Sequence, residues 1–398
     1  MDSLRNTPRA LSNISSQSSI DSLASQCVLC GLCSTTCPTY QESLNENRSP
    51  RGRISLIKAI ANQELELDDH LLEHLSTCLH CFTCMKVCPS QVNYAELIHY
   101  ADKELYLSGR TPPLFIRLLH SFLINNKLHR LAKSSLHILY KLKIVSLLKR
   151  LGSSRILAYL PNQYKKPNEP AINETKHLLI TGCANQLLRP ELIDSSINLL
   201  KAINLDISIL KNEPCCGAIE FRSGIANEAE LVEQSLTQTD KTYLSLNSSC
   251  TAHLNDYKTN TYFELLDYLF ENHWQDLVKL QFKTDKKNIL IHNSCSRKNR
   301  LKINSLKDKL EQLLPEQIFI EISNFSCCGA SGTYSLERPE LADKIASPYV
   351  SAIKEAEVNI ILSTDTSCGL HLKHQLEQSQ YAIEMMHPVQ FIYQQTIN

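Results

Sequence analysis

The sequence lacks the features of a membrane-spanning or secreted protein. No apolar run approaches the ~20 residues that a helix needs to cross a bilayer. Residues 1–26 are polar and rich in serine, and they contain no apolar signal-peptide core. These absences predict a cytoplasmic protein. We expect residues 1–22 to form a flexible tail, because their composition buries too little apolar surface to offset the entropy of ordering.

The chain also lacks an excess of charge and the common catalytic motifs. It has 41 basic and 41 acidic side chains, so the whole chain gives no reason to expect nucleic acid as a partner. It has no Gly-rich phosphate-binding fingerprint, and hence no sign of a nucleotide or flavin site. Neither a Ser-His-Asp arrangement nor a pair of glutamates indicates hydrolytic chemistry.

Cysteine, in contrast, is abundant, with 16 residues in a chain of 398. Disulfide-dense frameworks belong mostly to small secreted domains. Clustered reduced thiols in a large cytoplasmic protein favour metal binding instead.

Eight of these cysteines form two similar runs, CVLCGLCSTTCPTY from residue 27 and CLHCFTCMKVCP from residue 78. Three cysteines at i, i+3 and i+6 wrap one [4Fe–4S] cluster, and the fourth, before proline, completes the cluster of the other run. Zinc fits less well, since its structural sites prefer two separated cysteine pairs. A non-catalytic zinc scaffold is the alternative from another class. The predicted ligands are Cys27, Cys30, Cys33 and Cys88 for cluster 1, and Cys78, Cys81, Cys84 and Cys37 for cluster 2.

Two neighbouring one-electron centres predict an electron conduit. Because the chain shows no hydride-accepting cofactor site, a partner has to supply one. Apolar residues at helical spacing between the two runs predict helices there, so residues 23–110 should form a mainly helical two-cluster ferredoxin domain.

Residues 111–170 form a predicted basic helical segment and linker. From Leu105 to Asn168 there is no Asp or Glu, while Lys and Arg alternate with leucine and isoleucine. Two interpretations are open: a helix pair with a solvated basic face, or a surface that docks onto a partner or an anionic membrane, giving a peripheral location on the inner face of the cell membrane.

The remaining chain contains a duplication, over residues 176–275 and 286–398. Each copy has one cysteine, a Cys-Cys-Gly stretch 32 residues later, and then a Cys-x-x-His stretch. Short β-rich runs alternate with helical stretches, which predicts two α/β lobes with parallel strands. The predicted fold class is therefore α+β, with a helical ferredoxin domain followed by two cysteine-rich α/β lobes.

The cysteines of each lobe follow strands, and the carboxyl ends of parallel strands share one sheet edge. We expect a further iron–sulfur centre or a thiol-lined acceptor site in these lobes; the alternative is a buried, redox-inactive pair. His253 and His371 are candidates for ligand, proton donor or packed ring. The candidate cysteines are Cys183, Cys215, Cys216 and Cys250 in the first lobe, and Cys295, Cys327, Cys328 and Cys368 in the second.

These motifs closely resemble those of glycolate oxidase (glycolate dehydrogenase) iron–sulfur subunits, from about Asp21 onward. The resemblance rests on the two cysteine runs, SPRGRISLIKAI, LITGCANQ, PCCGAIEF, CCGASGTYSLERPELA and TSCGLHL. It departs from the family in two places: both lobes end in Cys-x-x-His where relatives often have Cys-x-x-Cys, and residues 292–295 read His-Asn-Ser-Cys in place of His-Cys-Pro-Cys.

The resemblance implies two [4Fe–4S] clusters and an FAD-containing 2-hydroxy-acid dehydrogenase partner that oxidises glycolate or D-lactate. Electrons would then pass to a quinone or another acceptor. The alternatives are the corresponding subunit of an anaerobic glycerol-3-phosphate dehydrogenase and a heterodisulfide-reductase-like subunit.

Overall fold

The computed structural model describes residues 17–109, 112–151, 154–165, 175–210, 213, 215–224, 241–256, 262–322 and 327–397. The predicted α+β class is confirmed: helices dominate, and two small parallel sheets occupy the second half of the chain. No helix among the described residues is both long and apolar enough to cross a membrane.

The first part of the chain is helical, as its apolar spacing predicts. Its helix α4 begins after Asp68, whose carboxylate accepts a hydrogen bond from the backbone N–H of Leu71 at 2.7 Å. One apolar core contains side chains from all but the second of the six helices described in this part of the chain. They are α1 (Gln17–Ser25), α2 (Pro38–Ser43), α3 (Pro50–Ala61), α4 (Asp69–Ser76), α5 (Thr83–Lys86) and α6 (Tyr94–Leu107).

The predicted flexible tail needs a correction at its end. Residues 17–22 lie in helix α1, and Ile20 is buried against the apolar core of the first six helices. The apolar contacts of Ile20 and Ala24 offset the ordering entropy that the polar composition alone could not repay. Residues 1–16 of this predicted tail lie outside the described residues.

The basic segment forms four helices, α7 (Leu114–Ile124), α8 (Asn126–Lys141), α9 (Ile144–Leu151) and α10 (Arg155–Tyr159). Three of its cations contact other groups of the protein. Lys133 binds the side chain of Gln186 and Arg155 pairs with Asp343, both in the cysteine-rich lobes, whereas Lys149 binds the carbonyl oxygen of Leu160 within the segment. The interpretation of a helix pair with a solvated basic face therefore does not hold for these three residues.

Each cysteine-rich lobe contains a four-stranded parallel sheet, in the orders β2-β1-β3-β4 and β6-β5-β7-β8. The central strands are almost wholly buried, as expected where helices cover both faces of a parallel sheet. The strands are β1 (His177–Ile180), β2 (Ile207–Ile209), β3 (Thr242–Ser245), β4 (Tyr262–Glu264), β5 (Asn288–His292), β6 (Ile318–Ile320), β7 (Ile360–Ser363) and β8 (Glu384–Met386).

The two lobes share one apolar core, which contains side chains from both sheets. Helix α12 of the first lobe packs against helix α21 of the second. Within the described residues, the helices of the first lobe are α11 (Cys183–Leu188), α12 (Pro190–Ala202), α13 (Ala218–Arg222), α14 (Ser248–Asp256), α15 (Leu265–Asn272) and α16 (Trp274–Val278). Those of the second are α17 (Leu306–Leu313), α18 (Tyr334–Glu337), α19 (Pro339–Glu355), α20 (Thr366–Gln378) and α21 (Pro388–Gln395), with a π-helix at Ser296–Leu301.

Candidate metal centres

The predicted ligands of cluster 1 surround one cavity. Its lining includes Cys27, Cys30, Cys33 and Cys88, together with Cys84 from the second run. The first three thiols come from one short loop, and the fourth comes from a residue 55 positions beyond Cys33. The fold thus brings together the crossed set that the spacing predicts.

The loop around this cavity depends on backbone of positive φ. Leu29 and Gly31 have φ of 55° and 82°, which lets the chain curl so that successive cysteines face inward. The guanidinium of Arg51 donates a hydrogen bond to the carbonyl oxygen of Leu29 at 3.0 Å. A Cβ at Gly31 would lie 2.4 Å from that guanidinium, which is the far end of a flexible side chain and can shift, so the positive φ is the main reason for glycine here.

The predicted ligands of cluster 2, which are Cys37, Cys78, Cys81 and Cys84, line a neighbouring cavity. All four thiols are buried. Cys37 is the N-cap residue of helix α2, and Pro38 lies in the first turn. The fixed φ of the proline favours the start of the helix directly after Cys37. Cys84 lines both cavities, which therefore adjoin.

The chemistry of these donors fits iron–sulfur ligation. Each cavity has four thiols or more, and thiolates are the ligands of such clusters. Burial raises the pKa of Cys78 and of Cys84, so metal binding has to displace their protons. The assignment of individual ligands remains our prediction.

Arg53 places a buried positive charge beside cluster 2. Its side chain is 1 % exposed and lines the same cavity as the four thiols. It donates hydrogen bonds to the hydroxyls of Thr39 and Thr77 and to the carbonyl of His74, but it pairs with no carboxylate among the described residues. Burial alone would lower its pKa, yet the neighbouring acidic groups, Tyr94 and Cys78 first, raise it. A buried cation without a carboxylate partner fits a site that carries negative charge.

The thiols of the first lobe converge at the ends of its strands. Cys183 follows strand β1, and its sulfur lies 3.7 Å from that of Cys215. Cys216 interacts in turn with Cys215 and with Cys250, which lies in the first turn of helix α14. Hydrogen bonding to Cys215, together with burial, raises the pKa of Cys183. All four candidate cysteines of this lobe therefore come together.

The second lobe gathers its four cysteines in the same way. Cys327 interacts with Cys295 and Cys328, and Cys328 interacts with Cys368. Hydrogen bonds from Cys295 and Cys328 to the sulfur of Cys327 lower the pKa of Cys327. The pKa of Cys328 is raised by its hydrogen bonds with Cys327 and Cys368 and by burial. Cys327 is accordingly the thiol of this set that ionises most readily.

The second lobe also adjoins cluster 2. Cys81 and Cys327 belong to one buried group of side chains, and Cys295 packs against it. Asn299 of the π-helix donates a hydrogen bond to the carbonyl oxygen of Cys81 at 2.7 Å. The cavities of clusters 1 and 2 adjoin at Cys84, and the cavity of cluster 2 adjoins the thiols of the second lobe at Cys81. The three sites thus form a continuous series.

The two histidines that the sequence suggested as candidates, His371 and His253, contact groups other than these thiols. Nδ1 of His371 hydrogen bonds to the Tyr159 hydroxyl at 3.1 Å, and its Nε2 lies 3.4 Å from the carbonyl oxygen of Ala342. His253 is buried and packs edge-on against Phe221 at 5.1 Å between ring centres. Burial lowers the pKa of both histidines, to about 4 for His371. These contacts favour the packed-ring interpretation.

A different histidine joins the thiols of the second lobe. A ring nitrogen of His292 and the sulfurs of Cys328 and Cys368 lie within 4.8 Å of one another. Burial lowers the pKa of His292 to about 4, so its imidazole is neutral, as metal binding requires. In the sequence, His292 stands out only as the first residue of the His-Asn-Ser-Cys stretch. Aligning the two repeats would have singled it out, because Ile180 occupies the same place before Cys183.

Family models match two parts of the chain. A "4Fe-4S dicluster domain" matches residues 23–92, and a "Cysteine-rich domain" matches residues 178–255 and again 289–373. The prediction of iron–sulfur clusters and of a duplicated cysteine-rich unit is thereby confirmed.

Curated relatives extend the similarity to nearly the whole chain. A glycolate oxidase iron–sulfur subunit of Escherichia coli strain K12 is 25 % identical, over 92 % of this chain and 95 % of its own length. A probable glycolate oxidase iron–sulfur subunit of Bacillus subtilis strain 168 is 26 % identical, over 88 % of this chain and 89 % of its own. A lactate utilization protein A of Bacillus mycoides strain KBAB4 is 21 % identical over 53 % of this chain and 93 % of its own. The chain thus combines one 4Fe–4S dicluster domain with two cysteine-rich domains and resembles the glycolate oxidase iron–sulfur subunits over most of its length.

Proposed function

We propose that this chain is the electron-transfer subunit of a flavin-dependent 2-hydroxy-acid dehydrogenase that oxidises glycolate or D-lactate. An FAD-containing partner subunit takes two electrons from the substrate, and this chain carries them one at a time to a quinone or another acceptor. The observation that carries the proposal is the continuous series of thiol-lined sites, from the cavity of cluster 1 through Cys84 and Cys81 to the second lobe.

The surface around cluster 1 suits an entry point for electrons. Cys30 is exposed, and three apolar side chains of the same loop, Val28, Leu29 and Leu32, are more than half exposed. The thiols of cluster 2, in contrast, are buried. We assign this apolar loop as the place where the flavoprotein docks, because it brings a partner's flavin nearest to the first cluster.

The crossed ligand assignment can be tested with two cysteines of one run. Cys33→Ser should remove the electron paramagnetic resonance signal of cluster 1, and Cys37→Ser that of cluster 2. The two positions lie four residues apart, so each variant controls for local disturbance by the other. Cys88→Ser and Cys84→Ser are the matched pair in the second run. If Cys33→Ser and Cys37→Ser abolished the same signal, the crossed assignment would be wrong.

The partner and substrate are tested by purifying the complex anaerobically from the native host. We expect an FAD protein that reduces the clusters of this chain when glycolate or D-lactate is added. Reduction by glycerol 3-phosphate alone would instead favour the corresponding subunit of a glycerol-3-phosphate dehydrogenase. A chain that binds zinc and no iron would end the proposal of electron transfer altogether.

We also propose that helices α7–α10 attach the protein to an anionic membrane surface on the inner face of the cell membrane. Twelve of the 22 exposed large apolar side chains of the described residues lie between positions 114 and 156. Lys and Arg accompany them, and no acidic residue lies between positions 105 and 168. Lysine is depleted at protein interfaces, but apolar and basic side chains together characterise helices that lie on membranes.

Vesicle sedimentation tests this attachment. Lys141, Lys143 and Arg150 are exposed, whereas Lys149 binds backbone carbonyls and is therefore left unchanged. Reversing the three exposed charges should reduce binding to vesicles of mixed anionic and neutral phospholipid by about 100-fold or more, at about 1 kcal/mol per charge removed. The control reverses Lys286 and Lys302, which are exposed elsewhere. Equal loss in both variants, or none in either, would contradict membrane attachment through this segment.

A further inference from the structure

His292 distinguishes the second cysteine-rich lobe from the first. It ends strand β5, and it is the register partner of Ser363 in strand β7. In the first lobe Ile180 ends strand β1, and it pairs with Ser245 in strand β3 in the same register. Each of these two residues is followed three positions later by the first cysteine of its lobe. One lobe therefore has an imidazole where the other has an alkyl side chain.

The environment of His292 leaves one of its nitrogens available. The side chain is 6 % exposed. Its Nδ1 hydrogen bonds to the Tyr349 hydroxyl at 3.2 Å, and its Nε2 has no partner among the described residues. A buried polar atom without a partner is costly and calls for an explanation. With Nδ1 bound to the tyrosine, the Nε2 lone pair can bind a metal, since a ligating histidine uses its other nitrogen for such a supporting hydrogen bond.

The thiols of the second lobe lie around the same point. A ring nitrogen of His292 is within 4.8 Å of the sulfurs of Cys328 and Cys368. His292, Cys295, Cys327 and Cys328 all line one cavity of about 120 Å³, so an inorganic group in that cavity would contact all four side chains. The second lobe thus offers five soft or borderline donors where the first offers four.

We propose that His292 is a ligand of an iron–sulfur centre in the second lobe, which therefore has mixed thiolate and imidazole ligation. The proposal rests on the proposed function, because it concerns the centre next to cluster 2. A centre that is bound by the neutral imidazole of His292 in place of one of the four thiolates is less negative than an all-thiolate centre, and its reduction potential is higher. A centre of higher potential beside Cys81 would draw electrons out of cluster 2 and make the second lobe the exit of the series.

The test uses the full chain, prepared anaerobically with its clusters in place and labelled with ¹⁵N-histidine. Pulsed electron paramagnetic resonance should show ¹⁵N coupling to one reduced centre, and iron should exceed the about eight atoms of two cubanes. His292→Ala should abolish the coupling and lower the iron content. His371→Gln is the matched control, since His371 is equally buried in the same lobe but has partners at both nitrogens.

Two further variants keep the test decisive if His292→Ala fails to fold. His292→Cys should keep the iron, lose the ¹⁵N coupling and lower the equilibrium constant for reducing that centre at least about 10-fold, or about 59 mV for one electron. Tyr349→Phe should weaken retention of the centre against a chelator by about 10- to 100-fold.

Unchanged coupling and potential in His292→Cys would overturn the ligand assignment. A content of about eight irons per chain, with both cubane signals intact, would also overturn this assignment but would leave the proposed function in place. Absence of all iron would instead overturn the proposed function itself.

Discussion

The two cysteine-rich lobes share a sheet order and a placement of thiols, yet they differ at two matched positions, one at the end of the first strand and one just after it. The first difference is Ile180 against His292. The second lies two residues beyond each lobe's first cysteine, where the first lobe has Asn185 and the second has Arg297. Both of these side chains are fully buried and both cross to the other lobe.

The second difference, Asn185 against Arg297, shows how each lobe contacts the other. The guanidinium of Arg297 contacts the carboxylates of Glu264 and Asp267 in the first lobe, with Nη1 at 2.8 Å from Asp267. Asn185 contacts the hydroxyl of Thr366 in the second lobe. One structural position has thus become an ionic contact in one copy and a neutral hydrogen bond in the other. Buried charges that lose their partner cost more than buried amides, so the two contacts should differ in stability.

The largest effect should come from Arg297→Gln. It leaves two buried carboxylates without their cation, which should lower the free energy of unfolding of the lobes by about 3–5 kcal/mol. Urea unfolding followed by Trp274 fluorescence measures this, since Trp274 is the single tryptophan and packs against the shared core. The triple variant R297M/E264Q/D267L should recover most of the loss because no uncompensated charge remains. A loss below about 1 kcal/mol in Arg297→Gln would mean that the ionic contact is dispensable.

A smaller effect should come from Asn185→Ala. Asn185 donates to the carbonyl oxygen of Thr181 at 2.8 Å and accepts from Thr366. Its removal leaves these buried groups without that partner, at a cost of about 1–3 kcal/mol. The same unfolding measurement applies. Combining Asn185→Ala with Thr366→Val should cost less than the sum of the two single variants, because they share one hydrogen bond. Strict additivity would show that the contact between the lobes contributes nothing.

The sequence was most informative where chemistry depends on spacing along the chain. The cysteine runs at residues 27–37 and 78–88 predicted the two sets of thiols that line neighbouring cavities. The duplication predicted two parallel sheets with cysteines at their strand ends. Strands β4 and β8 escaped prediction, because they lack the β-branched residues that mark the equally short β2 and β6. They form because a neighbouring strand offers hydrogen bonds.

Contacts between distant residues explain what the sequence could not show. Helix α1 forms in a polar stretch because Ile20 reaches the core made by later helices. Recurrence of Cys-x-x-His made His253 and His371 candidates for ligands, but the partners of these rings come from other segments of the chain. His292 precedes its cysteine instead of following it. Its proximity to Cys328 and Cys368 arises from the pairing of β5 with β7, which spacing alone does not reveal.

The smallest effect concerns the two Cys-x-x-His histidines, which also differ between the lobes. In the first lobe, Phe221 lies between the rings of His253 and His99, and His99 belongs to helix α6. The rings of Phe221 and His99 are stacked, with 3.8 Å between their centres. In the second, His371 hydrogen bonds to Tyr159 of helix α10. The first histidine thus connects its lobe to the ferredoxin domain through aromatic packing, and the second connects its lobe to the basic segment through a hydrogen bond.

Tyr159→Phe removes that hydrogen bond while keeping the ring, so the free energy of unfolding should fall by about 0.5–1.5 kcal/mol. The Tyr159 hydroxyl also lies 3.0 Å from that of Ser335, so Ser335→Ala is the control that removes only the second contact of the tyrosine. Iron content and reduction potentials should remain unchanged, because His371 acts here as a packed and hydrogen-bonded ring. If Tyr159→Phe instead shifted a cluster's potential or released iron, His371 would be supporting a metal centre, and the two lobes would differ in their ligands at both histidines.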